Sequence, residues 1–407
     1  MKKHLLIIAT MDTKGKEAEF VKGCAIEQGV DPLLMDIGTL TEPLIRPDIT
    51  NYEVARAGGY DLKAIRDKRD RLLAVKAMEE GGADIADRLF NEKKIDGVLG
   101  MGGGTGTAIA SFIMRRLPFG FPKLVLSTVA SRDIREYIRT KDIVMFHSVA
   151  DLLGFNDFIR KILRQAAWAI CGMIREGNEI RYSKPMIAVT AYGVSSTCAI
   201  NAEPILEKKG YEMIGFHANG IGGMAMEEMI AQGLIAGVLD FTPHEIADDM
   251  LGGYCKGIGP ERFETAGKMG IPLVFAPGGL DNAVFSPFYP MPDNLKGRRI
   301  HIHDIRFCVR MESDEMISFA YIIGERLNRY HSPVWILIPL RGWSEADREG
   351  MELYDPIVDK IFVNELRKIL RDDIPIEEID CHISDPAFAE RAVDILDSMI
   401  RNSVTIT

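Results

Sequence analysis

Two stretches of the chain share one layout, and this repetition constrains the fold more than any other feature. They are HLLIIATMDTKGKEAEFVKGCAIEQGVDPLLMDIG at residues 4–38 and PMIAVTAYGVSSTCAINAEPILEKKGYEMIGFHANG at residues 185–220. In each, an apolar run ends at a threonine (Thr10 or Thr190), and a glycine follows 19 or 20 residues later, after a polar loop and a helical segment. A second apolar run comes after the glycine. This order predicts a strand–loop–helix–strand unit that opens a parallel sheet in each half of the chain.

Further apolar runs continue the pattern in both halves. They lie near residues 95–100, 123–128 and 142–147, and near 235–240, 272–276, 299–304 and 334–339. Continuous apolar strands are typical of parallel sheets that helices cover on both faces. We therefore predict an α/β protein with two Rossmann-like, doubly wound parallel-sheet domains in tandem, facing a cleft. The first covers residues 1–180, with an insertion at about 43–82, the second covers 181–407, and the boundary lies near 176–185.

Composition narrows the classes of partner and the cellular compartment. The formal net charge of −10 argues against nucleic acid or an anionic membrane surface as a partner. No apolar run reaches the roughly 18 residues that a membrane span needs, and the run at residues 5–9 is too short for a signal peptide. The six cysteines show no C-x-x-C spacing, which favours reduced thiols. We expect a cytoplasmic protein.

The glycine-rich stretch GVLGMGGGTGTAIA, at residues 97–110, follows an apolar run and precedes a helical segment. It matches neither the dinucleotide fingerprint, because Thr105 stands where the last glycine belongs, nor the P-loop, because it has no G-K-[ST]. Glycines still allow close approach of a ligand to backbone amides at a helix start, where anions bind. The predicted contacts are Gly102, Gly103, Gly104, Thr105, Gly106 and Thr107. A tight strand–helix turn without a ligand is the alternative.

Other candidate nucleotide contacts follow the first, second and fourth predicted strands. In TMDTKGKE, Asp12 suits Mg²⁺ or a ribose hydroxyl, while Thr13 and Lys14 suit phosphate oxygens. Capping of the next helix is the alternative role for Asp12 and Thr13. Asp36 stands where an acidic residue binds ribose in Rossmann-type sites. Thr128 and Ser131 are further candidates, in the stretch STVASRD.

The second half carries polar groups after several predicted strands, and we expect them to meet at one edge of one parallel sheet. The predicted substrate contacts are His217, Gly222, Gly223, Thr242, Gly278, Gly279, His303, Arg310 and Arg341. Candidate catalytic residues are His217, Asp240, Glu245, His301 and Arg310. Arginine suits a substrate carboxylate or phosphate because it can form two parallel hydrogen bonds. No motif identifies the reaction.

Together these motifs make the chain resemble the Tm-one-like ATP-binding family, which includes the N-terminal region of a plant tobamovirus-resistance protein and bacterial relatives of unassigned activity. The resemblance rests on TMDTKGKE, GMGGGTGTA, GFHANGIGGMAMEEM, DFTPHEIADDMLGG, ERFETAGKMGIPLVFAPGGLDN and PLRGWSEADREGMELYDP. It implies two Rossmann-like subdomains, binding of ATP with Mg²⁺, and a homodimer or higher homo-oligomer. It places the nucleotide at the TMDTKG segment and the Gly102–Thr107 loop.

Three functions remain open from the sequence. The first is a Mg²⁺- and ATP-binding enzyme that acts on a small acidic metabolite held in the cleft between the domains. The second is a nucleotide-sensing interaction or regulatory module without turnover. The third is a metal-dependent hydrolase or lyase that works at His217, Asp240, His301 and His303.

Overall fold

The computed structural model describes residues 2–177 and 183–404, and the chain divides into two compact units, Met1–Arg181 and Tyr182–Thr407. Each unit is an α/β structure built on a parallel sheet with helices on both faces. The predicted fold class, two Rossmann-like domains in tandem, is confirmed. The predicted boundary near residue 180 falls on residues 178–182, outside the described residues.

The first unit has a five-stranded parallel sheet in the order β2-β1-β3-β4-β5. Its strands are β1 (Lys3–Ala9), β2 (Val30–Asp36), β3 (Gly97–Gly102), β4 (Lys123–Ser127) and β5 (Val144–His147). Its helices are α1 (Met11–Glu27), α2 (Asn51–Ala57), α3 (Leu62–Lys68), α4 (Arg71–Asn91), α5 (Gly104–Arg115), α6 (Arg135–Ile138) and α7 (Asp157–Glu176).

Strand β1 is apolar from Leu5 to Ala9 because both of its faces are covered there. Leu6 and Ile8 pack in the core that α2 to α5 share with the sheet. Leu5 and Ile7 point to the opposite face, where α1 and α7 pack. Alternate side chains of a strand point to opposite faces, so a strand buried on both sides has no polar positions. The segment predicted to be an insertion contains α2, α3 and the first half of α4.

The second unit has a six-stranded parallel sheet in the order β7-β6-β8-β9-β13-β14. The strands of this unit are β6 (Met186–Ala191), β7 (Glu212–His217), β8 (Gly237–Asp240), β9 (Leu273–Phe275), β10 (Asn282–Phe285), β11 (Ile300–Ile302), β12 (Phe307–Arg310), β13 (Val334–Pro339) and β14 (Ile376–Ile379). The helices are α8 (Ser196–Lys209), α9 (Ile221–Ala231), α10 (Glu245–Leu251), α11 (Glu264–Lys268), α12 (Ser313–Asn328), α13 (Pro356–Ile369) and α14 (Pro386–Val404).

One predicted strand belongs to a different sheet. The sequence predicts residues 299–304 in the parallel sheet, but β11 pairs with β12 in a three-stranded antiparallel sheet of order β10-β12-β11. Ile300 and Ile302 are exposed, as expected of a short edge strand rather than of a strand buried on both faces. His303 lies beyond the strand, in the turn to β12, where its backbone N–H donates to the carbonyl of Arg306.

No helix among the described residues is long and apolar enough to cross a membrane.

Replacing Gly100 by alanine is expected to destabilise the first unit. A methyl group at this position would lie 2.4 Å from the Cβ of Ala110, so β3 and α5 would have to separate. Overpacking of this kind costs about 1–3 kcal/mol, measured as the free energy of unfolding in urea.

The matched control is Gly104→Ala, because no atom lies within 4 Å of the corresponding methyl position there. Its stability is expected to stay within about 0.5 kcal/mol of the native chain. Equal stability of the two variants would contradict the assignment of Gly100 to packing.

Candidate functional site

The segment after β1 is the first turn of a helix rather than a loop. Helix α1 begins at Met11, directly after Thr10, and its only non-helical residue is Lys14 (φ −121°, ψ 21°). Asp12 is buried, and its Oδ2 accepts hydrogen bonds from the amides of Leu40 (2.9 Å) and Thr41 (3.4 Å). The Asp12 carboxylate therefore anchors the loop that follows β2.

Thr13 and Lys14 are more accessible than Asp12. Thr13 is exposed, and its hydroxyl lies 3.0 Å from that of Thr10. Lys14 is half-buried, and its ammonium donates to the carbonyl oxygen of Leu152, in the segment after β5. Among the described residues, no carboxylate oxygen lies within 4.0 Å of this ammonium. Lys14 therefore places a cation without a carboxylate partner at the carboxyl edge of the sheet.

The glycine-rich stretch is the end of β3 and the first turn of α5, with Gly103 as the N-cap. Two of its glycines are required by packing: a methyl group at Gly102 would lie 3.0 Å from the Gly106 Cα, and one at Gly106 would lie 3.2 Å from the Met101 carbonyl oxygen. A methyl group at Gly103 or Gly104 would meet no atom closer than 3.7 Å. The open surface of the loop is therefore at Gly103 and Gly104.

The amides of this open surface are free of helical partners. The first hydrogen bond of α5 runs from the Thr107 N–H to the Gly103 carbonyl oxygen, so the N–H groups of residues 104–106 have no acceptor within the helix. Gly104 and Thr105 are exposed. Thr107, in contrast, is buried, and its hydroxyl lies 2.7 Å from that of Ser127. Thr107 thus tethers α5 to β4.

The remaining residues predicted for the first unit also differ in how accessible they are to solvent. Thr128 directly follows β4 and is half-buried near Gly103, while Ser131 is exposed. Asp36 is fully buried, and its Oδ1 accepts hydrogen bonds from the amides of Met11 (2.9 Å) and Gly38 (2.8 Å). Its Oδ2 has no hydrogen-bond partner. Burial raises the pKa of Asp36 to about 6.

In the second unit, Asp240 lies in a sealed ionic network. Its carboxylate accepts a hydrogen bond from the Thr190 hydroxyl (2.7 Å) and lies 2.5 Å from the Arg262 guanidinium. The same guanidinium lies 3.3 Å from Glu245, whose pKa burial raises to about 7. Thr242 is also buried, and its amide donates to Thr190. Asp240, Thr242 and Glu245 therefore come together around Thr190 and Arg262, but none of their side chains reaches solvent.

The glycines predicted to contact a substrate have packing roles. A methyl group at Gly222 would lie 1.8 Å from the His217 carbonyl oxygen, and one at Gly223 would lie 1.9 Å from a Glu245 carboxylate oxygen. A methyl group at Gly278 would lie 2.2 Å from the Phe241 carbonyl oxygen. Gly279 has a positive φ of 71°, which favours glycine.

Arg310 also belongs to a buried network rather than to an open pocket. Its guanidinium contacts Asp347 (3.3 Å) and Asp359, and all three side chains are buried. Burial and the neighbouring Asp359 raise the pKa of Asp347. Arg341, in contrast, is exposed and forms a two-pronged pair with Asp380 (2.7 and 2.8 Å).

Two of the four residues predicted for a metal-dependent hydrolase are held by other partners. His301 lies on the antiparallel sheet, with its Nδ1 2.9 Å from Glu352, and Asp240 is paired with Arg262. The expectation of one shared sheet edge is therefore wrong for His301, His303 and Arg310, because β11 and β12 are not strands of the parallel sheet.

A small cavity of about 80 Å³ opens near the end of β6. Its lining includes Tyr192, His217, His303 and Arg306, together with Cys308 of β12. Arg306 uses Nε and Nη2 to bind Asp304, which leaves Nη1 outside that pair. Desolvation, followed by the charge of Arg306, lowers the pKa of His217. The cavity therefore combines a neutral imidazole with a guanidinium.

Two important residues were missed by sequence reasoning. Arg262 is the cation of the sealed network, but an isolated arginine in PERFET carries no sequence signal of burial. Tyr192 lines the cavity and lies between two histidine rings, at centroid distances of 5.1 Å from His217 and 4.6 Å from His244. The sequence signal that could have identified Tyr192 was its position just after β6.

Family models match almost the whole chain. The N-terminal domain of the Uncharacterised protein family (UPF0261) matches residues 3–179, and the C-terminal domain of the same family matches residues 184–400. The chain belongs to the UPF0261 family. A UPF0261 protein of Clostridium tetani is 40% identical over 392 residues, covering 96% of this chain and 97% of its own.

The predicted relation to a plant tobamovirus-resistance protein is confirmed. The tomato (Solanum lycopersicum) ToMV resistance protein Tm-1(GCR237) is 35% identical over 333 residues, or 80% of this chain and 44% of its own length. A solved UDP-N-acetylglucosamine 2-epimerase structure aligns with 68% of this chain and 79% of its own at 13% identity. Its TM-score of 0.21 is too low to carry an argument. ATP binding stays a prediction.

The raised pKa of Asp36 predicts a pH-dependent stability. In the unfolded chain the carboxyl ionises near its ordinary pKa of 3.8, whereas in the folded chain it ionises near 6. The folded state therefore holds a proton that the unfolded state releases, and stability falls as the pH rises between these values. Asp36→Asn removes this contribution, which is about 2–3 kcal/mol.

Urea unfolding of both chains at pH 4, 5, 6 and 7 checks this prediction. The stability of the variant relative to the native chain is expected to increase between pH 4 and pH 6 and then level off. A constant difference across the series would contradict it.

Proposed function

We propose that the first unit binds Mg²⁺ and ATP at the carboxyl edge of its sheet, between the ends of β1 and β3. The sheet order β2-β1-β3-β4-β5 carries this proposal. The connections from β1 and β3 leave toward opposite sides, and doubly wound sheets bind ligands in the crevice that opens at this point. The segment starting at Thr10 and the Gly103–Gly104 surface flank that crevice.

The chemistry of both segments suits a polyphosphate. Unpartnered amides at the start of a 12-residue helix attract anions, and Gly103 and Gly104 leave room for close approach. Lys14 adds a positive charge that no described carboxylate neutralises. In this proposal Lys14 contacts the phosphates in place of the P-loop lysine, which the glycine-rich stretch lacks.

The proposed Mg²⁺ arrives with the nucleotide. The Asp12 carboxylate is buried, engaged by two backbone amides and close to Gly38, so it is a poor direct ligand for a small cation. Mg²⁺ commonly keeps several waters and binds substrate phosphates rather than a cage of protein ligands. Phosphate oxygens and water would therefore supply most of its coordination, with Asp12 and Asp36 as outer contacts.

We propose further that the chain is an enzyme that uses ATP on a small acidic metabolite bound in the second unit. The cavity beside Tyr192 supports this, because Arg306 and His217 present a cation and a neutral imidazole to it. At about 80 Å³ it has room for only two or three waters of about 30 Å³ each. It therefore suits a carboxylate or phosphate group, and a whole nucleotide would not fit.

Lys14→Ala is expected to weaken Mg·ATP binding about 10- to 100-fold, because a charge-assisted hydrogen bond contributes about 1.5–3 kcal/mol. Isothermal titration calorimetry measures the dissociation constant. Lys16→Ala is the matched control, since Lys16 is an exposed lysine of the same helix. Gly104→Val is expected to abolish binding while leaving the circular dichroism spectrum unchanged.

The absence of heat from the native chain at millimolar Mg·ATP would overturn nucleotide binding. An equal effect of Lys14→Ala and Lys16→Ala would overturn the role proposed for Lys14. Release of phosphate from ATP by the native chain would separate an enzyme from a module that only senses the nucleotide.

Oxalate and inorganic phosphate are used as probes of the proposed binding site for the acidic metabolite, in the cavity beside Tyr192. Arg306→Gln is expected to weaken the binding of the better probe at least 10-fold, measured by calorimetry. Arg341→Gln is the control, because Arg341 is exposed and already paired with Asp380. A larger loss of probe binding in Arg341→Gln than in Arg306→Gln would contradict the site beside Tyr192 and place it near Arg341, after β13.

A further inference from the structure

Three metal-ligating side chains meet beneath the cavity of the second unit. His244 immediately precedes α10, Asp248 lies in its first turns, and Cys255 follows it by four residues. One ligand atom from each lies within 4.8 Å of the other two, and all three residues are fully buried. Among the described residues, it is the one group of three His, Cys, Asp or Glu side chains whose ligand atoms lie this close together.

The His244 ring is oriented with one nitrogen free. Its Nδ1 lies 2.8 Å from the Gly279 carbonyl oxygen, which can only accept, so Nδ1 carries the proton. The lone pair is then on Nε2, which is buried without a hydrogen-bond partner and lies 3.6 Å from Asp248 Oδ2. A histidine that donates one N–H to a carbonyl and presents its other nitrogen is arranged as metal-binding histidines are.

The Asp248 carboxylate is held just as firmly. Its Oδ1 accepts a hydrogen bond from the amide of Val284 (2.7 Å), and its Oδ2 accepts one from the amide of Cys255 (2.6 Å). A methyl group at Gly253 would lie 2.6 Å from the Asp248 carboxylate, so glycine there lets the chain close over it. The carboxylate and the thiol are therefore brought together by the backbone itself.

We propose that His244 Nε2, Asp248 Oδ2 and Cys255 Sγ bind one zinc ion. Nitrogen, oxygen and sulfur are the three donor types of protein zinc sites, with bonds of about 2.0–2.3 Å. Ligand atoms of a tetrahedral ion then lie roughly 3.3–3.8 Å apart. The distance from His244 to Asp248 is already in this range, and a shift of about 1 Å brings in the third ligand.

Binding releases the proton of the Cys255 thiol. Zn²⁺ forms a bond to the Cys255 sulfur as that proton leaves to solvent. Three protein ligands leave one tetrahedral position for water or for an anion. The Tyr192 ring stacks on His244 and so lies beside this group of ligands. Tyr192 also lines the small cavity.

The experiment uses the full chain, stripped of metal with a chelator and then loaded with Zn²⁺ or Co²⁺. One zinc per chain is expected by elemental analysis. Cobalt is expected to give the near-ultraviolet absorption of a cobalt–thiolate bond, which reports sulfur ligation without any mutation. Cys255→Ser is expected to lose this band and to weaken zinc binding more than 100-fold.

Cys308→Ser is the matched control, since Cys308 is a buried thiol of the same unit that lines the cavity beside Tyr192 and is not in the group of three. It is expected to keep both the band and the zinc. The proposal is overturned if the native chain takes up no stoichiometric zinc or shows no cobalt–thiolate band, or if Cys255→Ser retains both. Because no nucleotide is added, the outcome is independent of the proposed ATP site.

Discussion

The parallel pairing of β1 with β3, and of β6 with β8, is the constraint on which both units depend. In each sheet the first strand also pairs with the second, so the chain leaves the first strand to one side and later returns on the other. The carboxyl ends of the two central strands then face a point where the connections diverge. Burial of both sheet faces maintains this arrangement, because Leu5 and Leu6 pack on opposite sides of the same strand.

The two units use this point differently. In the first, the ends of β1 and β3 leave an accessible surface formed by Gly103, Gly104 and Lys14. In the second, the corresponding space is filled by Asp240, Thr190 and Arg262, which bind one another away from solvent. Removing one member of a buried charged network leaves the other charges buried without a partner, which is strongly destabilising. We therefore expect this network to stabilise the fold. The chemistry proposed for the second unit lies instead beside Tyr192.

Glycine has two distinct roles in the same short stretch. Gly100, Gly102 and Gly106 allow β3 and α5 to approach, whereas a side chain at Gly104 would meet nothing. The letters of GMGGGTGT do not separate these roles, since both call for a missing Cβ. The difference depends on what lies across the glycine in space. The same holds for Gly222 and Gly223, which were predicted as substrate contacts and whose neighbours are a backbone carbonyl and Glu245.

The sequence by itself determined the fold class, the strand–helix order and most strand positions, because burial on both faces leaves an unbroken apolar run such as Val334–Pro339. It also located the residues at the ends of strands. Only the tertiary structure decided which of these are accessible, which are sealed and which share a sheet. His301 and His303 were misplaced because a three-residue strand carries too little pattern to distinguish antiparallel from parallel pairing. His244, Asp248 and Cys255 are close in sequence, but their convergence depends on Gly253 and on the amide of Val284, which is distant in sequence, so no periodic pattern predicts it.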